Sequence, residues 1–324
     1  MRSISILRTA LVAVLLSSSA LPSYAQWPTK PVRFVVPFPA GGSTDVVGRI
    51  LAEHLRQGFG QAFVIDNRAG AGGTVGSDAV AKAAPDGYTM LIGTSSTHAI
   101  ASGLYGAKLP YDQVKDFAPV TLIGSATILL VVHPSVPANN VPELIALAKA
   151  KPGTLNFASS GNGGVSHLTG EYFKSLAGIQ MQHVPYKGDT PMITDLVAGR
   201  VSLAFGTAVA FLPHVQKNAL HALAVTNAKP SPVAPNLPTV AQTLPGFEAL
   251  QWFGLLMPAG TPTEIVSRMQ AETLKVLRVP EVRDRLQAMG IEIVGNTPAE
   301  FAAFMREESA KWGRIVKESG AKVD

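Results

Sequence analysis

Short runs of β-branched and aromatic residues alternate along this chain with stretches whose apolar positions recur every three or four residues. Val32 to Val36 is the first such run, and Val47, Ile50, Leu51 and Leu55 follow at helical spacing, which predicts a strand, a turn and a helix. Phe63 to Asp66 and Tyr88 to Gly93 predict two more strands, with a small-residue helix between them that stops before the Asp86-Gly87 turn. Pro119 to Val132 is nearly continuous in apolar residues, broken at Gly124-Ser125, and reads as passage into a second lobe. There Leu168, Tyr172 and Leu176 keep helical spacing, while Val201 to Phe205 and Leu223 to Thr226 read as strands. Trp252 to Met257 is the expected return crossing. The alternation predicts an α/β protein with largely parallel sheets. It divides the chain into lobe one, residues 26–122 and 253–324, and lobe two, residues 123–252, joined by two crossing strands that make a hinge.

The turns carry the chemistry. Pro37 to Asp45 reads Pro-Phe-Pro-Ala-Gly-Gly-Ser-Thr-Asp. Its glycines let backbone approach a ligand, and Ser43 and Thr44 are candidate helix caps beside free N–H groups suited to a carboxylate or phosphate. Ser159 to His167 is a second loop of similar make between a strand and a helix, so the two mouths are expected to face one another. Thr94 to His98 follows a strand end, where ligands bind on open parallel sheets. His183 to Pro191 adds Lys187 and Gly188 at another strand-to-helix turn. Thr261-Pro262-Thr263-Glu264 and Thr297-Pro298-Ala299-Glu300 each predict a capping box, and the helices behind them supply packing residues such as Ile265, Met269, Phe301 and Trp312.

Composition narrows the function classes. Residues 1–25 carry Arg2 and Arg8, an apolar run from Ala10 to Leu16 and small residues ending Ser23-Tyr24-Ala25, the pattern of a signal peptide cleaved after Ala25. With no cysteine in the chain, lipid anchoring on cysteine, disulfides and thiol chemistry are excluded. The formal net charge is +5 and falls further without Arg2 and Arg8. With no Lys/Arg run to concentrate it, nucleic-acid binding is disfavoured. The seven histidines are scattered without zinc-like pairing, so neither a metal nor another cofactor is expected. Gly161 to Ser166 misses a dinucleotide fingerprint because Ser166 stands where a third glycine belongs. Ser160 and His167 could be imagined as a nucleophile and base, but no third partner is identifiable, which leaves a serine hydrolase as an alternative reading.

Several segments taken together resemble the substrate-binding receptors of tripartite tricarboxylate transporters, the Bug-type periplasmic receptors. They include Val36 to Gly42, Asn67 to Gly73, Pro85 to Thr89, Asp116 to Val120, Lys151 to Gly153, His183 to Gly188 and Trp252 to Gly254, and the likeness runs from Trp27 nearly to the end. The resemblance implies a two-lobed periplasmic binding protein of type II-like fold, with a ligand cleft between the lobes. It implies a small carboxylate ligand, held by backbone, hydroxyls and bridging waters without a dedicated arginine, and a membrane permease with one large and one small subunit. A monomer is expected, and no enzyme activity. Carried over by position, the ligand contacts are Phe38, Ala40, Gly41, Ser43, Thr44, Ser96 and Thr97 from lobe one, with Ser160, Gly161, Gly164, Ser166, His167, Lys187 and Gly188 from lobe two. Asp45 is expected as a first-turn helix residue. Where many members carry an acidic residue after the phenylalanine at the Phe205 position, this chain has Gly206-Thr207-Ala208, which turns expectation away from amino-acid ligands. A receptor that presents ligand to a membrane kinase would share the same pocket.

Overall fold

The computed structural model describes residues 27–322; the expected leader and its cleavage point lie outside the described residues. In chain order, strand β1 (Val32–Val36) leads to helix α1 (Ser43–Phe59), then β2 (Phe63–Asn67), α2 (Thr74–Ala81), β3 (Thr89–Thr94), α3 (Ala101–Tyr105) and β4 (Phe117–Ala126). The chain continues through β5 (Ile128–Val132), α4 (Val141–Ala150), β6 (Asn156–Ser159), α5 (Val165–Ala177), β7 (Gln182–Pro185), α6 (Asp189–Val197), β8 (Leu203–Thr207), α7 (Ala208–Gln216) and β9 (His221–Val225). It ends with β10 (Gln251–Pro258), α8 (Thr263–Arg278), α9 (Pro280–Ala288), β11 (Ile291–Ile293) and α10 (Pro298–Ser319).

These strands form two sheets, one six-stranded in the order β11-β4-β10-β3-β1-β2 and one five-stranded in the order β7-β6-β8-β5-β9. Each is mixed, where largely parallel sheets were expected. β1 pairs in parallel with β2 and β3, and β6 with β7 and β8. The strands on either side of the changeover run against their neighbours: β10 is antiparallel to β3 and β4, and β5 to β8 and β9. A strand that carries the chain between sheets has no right-handed helical crossover to align it, and so escapes the rule that makes βαβ neighbours parallel.

β4 stays paired in the six-stranded sheet through Ala126, so residues 123–126 lie with the lobe-one strands. The change of sheet is concentrated at Thr127. Its amide donates to the Gly290 carbonyl (3.2 Å) beside β11, while its own carbonyl accepts from the Ala208 amide (2.8 Å) at the start of α7. On the return, the Thr226 amide donates to Ile128 O (2.9 Å) and the Ala249 amide to Thr226 O (3.1 Å), which places the second crossing beside the first.

The core is one apolar cluster continuous through both sheets, with a separate cluster on the outer face of each. Helix α10 joins the halves of the shared cluster. It packs on α5, on β4, on α3 and on the π-helical turn Ser96–Ile100. Its buried Glu308 accepts both indole N–H groups of Trp252 and Trp312, each at 3.2 Å, and pairs with Lys311. A buried carboxylate is tolerable when satisfied in this way.

Of the two expected capping boxes, only the one at Thr297 forms, with Glu300 completing it. The Thr261 hydroxyl donates instead to the Pro258 carbonyl (2.7 Å), and α8 begins after Pro262 without a side-chain cap.

Candidate functional site

Lobe one presents the Phe38 loop, the glycine turn at residues 70–73 and the end of β3. A methyl group placed on Gly73 would lie 2.6 Å from Thr97 Cγ2 and 3.1 Å from Phe38 Cζ, so these three meet as one wall. Gly73 has φ +93°, a conformation that glycine adopts without strain. On the neighbouring Gly72, the same methyl would stand 3.9 Å from the Asn162 carbonyl of lobe two. The glycine turn at residues 70–73 therefore faces the glycine-rich loop of lobe two at Asn162. The Tyr105 hydroxyl buttresses that turn by donating to Ala71 O (3.0 Å).

Ser43 and Thr44 do not cap α1. Gly42 is the N-cap, in extended conformation and without a side-chain cap. The Asp45 carboxylate folds back to accept from the Gly41 amide (2.9 Å), Arg49 Nε (2.8 Å) and Asn67 Nδ2 (2.9 Å), and Asn67 also holds Phe38 O (3.1 Å). Asp45 is only 2% exposed. Burial raises its pKa, but the bonds from Arg49, Gly41 and Asn67 outweigh burial and hold the carboxyl below the usual range. The first helical bond is Val46 N to Gly42 O. Among the described residues, the amides of Ser43, Thr44 and Asp45 have no intramolecular acceptor, and they sit at the positive end of a seventeen-residue helix. Ala40 and Gly41 are exposed on the same loop, and Ser43 is half-buried.

Thr97 lies in the interior of lobe one. It is fully buried, its hydroxyl donates to Thr94 O (3.2 Å) and accepts from the Thr94 amide (2.9 Å), and His98 Nδ1 lies 2.9 Å away. It shapes the wall through its methyl group, while Ser96 beside it is also buried.

In lobe two, the Ser160 amide donates to Ser166 Oγ (3.1 Å) and the Gly188 amide to Ser160 O (3.0 Å). The Gly161 and Gly164 amides donate to Ser159 Oγ (3.3 Å) and to Gly161 O (3.4 Å). Beneath the loop, His167 and His183 stack at 3.8 Å, nearly parallel, with the Phe157 ring 4.8 Å from His183 and 6.4 Å from His167. His167 Nδ1 accepts the Gly163 amide (3.2 Å), so a neutral ring carries its proton on Nε2, which lies 3.9 Å from Glu171. His183 Nε2 is 2.6 Å from Ser159 Oγ. These histidines are the floor of the loop. Lys187 is exposed. Asp189, the first residue of α6, follows Gly188, whose amide is bound to Ser160 O, and burial raises its pKa while the nearby Ser160 side chain opposes that rise.

Burial, with the nearby His167 and Lys174 adding to it, pulls the His183 pKa down to about 3; burial alone does the same to His98. Both fold as neutral rings. A histidine whose folded pKa lies below its unfolded value near 6.5 leaves stability intact above pH 6.5 and subtracts from it as the pH falls toward about 3. Urea midpoints should therefore decline from pH 6.5 to 4, and His98→Gln should flatten that decline. An unaltered pH slope in the variant would contradict the burial argument.

Residues 47–321 match the profile described as the tripartite tricarboxylate transporter family receptor, TctC. The chain belongs to this family. It is 36% identical over 298 residues to Protein BugT of Bordetella pertussis, covering 92% of this chain and 91% of that one. Among solved structures, an R. palustris protein with adipate is 38% identical with a TM-score of 0.84, covering 92% of this chain and 100% of the other. MatC from Rhodopseudomonas palustris with bound malate is 33% identical with a TM-score of 0.81, covering 90% and 100%. The fold is thus the two-lobed solute-binding type, and a receptor rather than an enzyme. The geometry agrees: the Ser160 hydroxyl is engaged by Ser166, while His167 faces Gly163 and Glu171.

Proposed function

We propose that this TctC-family receptor captures a small carboxylate-bearing solute between its lobes in the periplasm and hands it to the large and small membrane subunits of a tripartite tricarboxylate-type transporter. The reading is carried by the α1 N-terminus, where three consecutive amides without internal acceptors open at the Phe38 loop. A carboxylate there gains hydrogen bonds and a favourable helix-end field with no need for an arginine. Relatives solved with adipate and with malate support the same class of ligand.

The test is a thermal-shift screen of residues 26–324 against mono-, di- and tricarboxylates, aromatic acids, acidic amino acids and their amides. A ligand at one hundred times its Kd adds about 2.7 kcal/mol, so an acid hit should be plain, and mass spectrometry should recover the acid unchanged. A shift with uncharged compounds alone would overturn the carboxylate reading.

A further inference from the structure

The turn at residues 70–73 is a run of positive φ, +144° at Gly70, +46° at Ala71, +64° at Gly72 and +93° at Gly73. Glycine takes such angles without strain, whereas a residue with a Cβ keeps them only where its surroundings hold it there. Ala71 is the one residue of the turn with a Cβ, and it is exposed, so burial of its methyl group does not offset the strain.

Hydrogen bonding to a single atom holds it instead. The Ala71 carbonyl accepts from Tyr105 Oη (3.0 Å), from Thr74 Oγ1 (2.9 Å) and from the Thr74 amide, three donors on an oxygen with two lone pairs. Thr74 is a near neighbour and travels with the turn. Tyr105 lies 34 residues along the chain, at the end of α3, and ties the turn to the rest of lobe one. Its helix is firmly mounted, because α3 packs on α10 so closely that a methyl group on Gly103 would lie 3.1 Å from Gly313 Cα.

The place of this turn matters to both sides of the cleft. Gly73 backs onto Thr97 and Phe38, and a methyl group on Gly76 in α2 would stand 2.9 Å from Pro37 Cα, so the turn and the Phe38 loop pack as one piece. On its other side, Gly72 approaches Asn162 of lobe two. Drift of the turn would displace the Phe38 loop and spoil the approach to Asn162 together.

We propose that Tyr105 is a positioning residue for solute capture: its hydroxyl, without touching the solute, holds Ala71 in the left-handed conformation, so that this wall stands ready before a solute arrives. A wall built beforehand spares binding the cost of ordering the turn. The inference rests on the carboxylate-receptor reading and adds to it a residue outside the loops expected to make the contacts.

Tyr105→Phe removes one oxygen and keeps the ring, and two measurements read the result. Hydrogen exchange on the solute-free protein follows the Gly73 and Thr74 amides, which donate to Gly70 O and Ala71 O; both should exchange several-fold faster in the variant. Calorimetric titration uses adipate, malate and any acid found by the thermal-shift screen. The Kd of each acid that the native protein binds should rise about fivefold or more, the worth of one net hydrogen bond. Adding Ala71→Gly to Tyr105→Phe should recover most of that loss, since glycine keeps the left-handed conformation unaided, whereas it could not replace a lost contact with the solute. Tyr105→Leu serves if the phenylalanine variant does not fold. Native exchange or native affinity in the variant overturns the inference, as does a loss of affinity that Ala71→Gly leaves untouched; in each case the native protein still binds its acid and the receptor reading stands. Failure of the folded native protein to bind any of the acids removes the carboxylate reading together with the inference.

Discussion

Asp45→Ala should lower affinity for the carboxylate ligand tenfold or more, although Asp45 is expected to touch no ligand. Its carboxylate ties the Gly41 amide, the Arg49 guanidinium and the Asn67 amide into one knot, and Asn67 pins the Phe38 carbonyl. Removing it frees the loop that sets the entry to α1. Arg49 is half-exposed and re-solvates readily, so the stability loss comes chiefly from the orphaned Asn67 and Gly41 donors, about 1–3 kcal/mol. Titration calorimetry together with urea unfolding separates the two effects. A variant with native affinity would show that the loop holds its shape without Asp45. The pH dependence has the same sense as that of the histidines but sets in at lower pH: the Asp45 carboxyl is held below its ordinary value, so its contribution is complete above about pH 4 and is lost as the pH falls through the depressed folded value.

Gly254→Val should be the most damaging single methyl-scale change in lobe one. A Cβ at this position in β10 would stand 2.1 Å from Phe301 Cζ. Phe301 is fully buried and packs edge-on against Trp252, with ring centroids 5.8 Å apart, so it cannot swing away, and α10 must lift instead. Overpacking of this kind costs about 3 kcal/mol or more when no side chain can yield. The urea midpoint should drop accordingly, and Phe301→Leu in the same chain should restore part of the loss, a coupling that a double-mutant cycle measures. Gly313→Ala on the same helix is the control: nothing lies within 4 Å of its Cβ, and it should gain about 0.5–1 kcal/mol. Equal behaviour of the two variants would contradict the packing argument.

The strands were legible where burial on both faces wrote them as nearly unbroken apolar runs. β1 occupies Val32–Val36 as predicted, and β3 and β10 differ by one residue at their ends. Strand direction was less legible, because apolar pattern fixes burial and leaves polarity of pairing to the connections. Capping showed the limit of local motifs. Thr261 and Thr297 head the same four-residue pattern, yet one hydroxyl finds Pro258 O and the other finds Glu300 N, a choice made by how each loop folds. At the candidate site, the two glycine loops and their helix starts were readable. The roles of individual side chains were not, since they depend on partners distant in sequence: Asp45 on Asn67, and His167 on His183. Thr97, expected as a ligand contact, has its hydroxyl bonded to Thr94 and its methyl group beside Gly73.

Helix α10 touches the Ser96–Ile100 turn on one lobe and α5, whose first residues carry Ser166 and His167, on the other. One helix thus packs on the loop-bearing elements of both halves of the molecule, so a truncation on its buried face, such as Trp312→Ala, should disturb both walls of the candidate site at once.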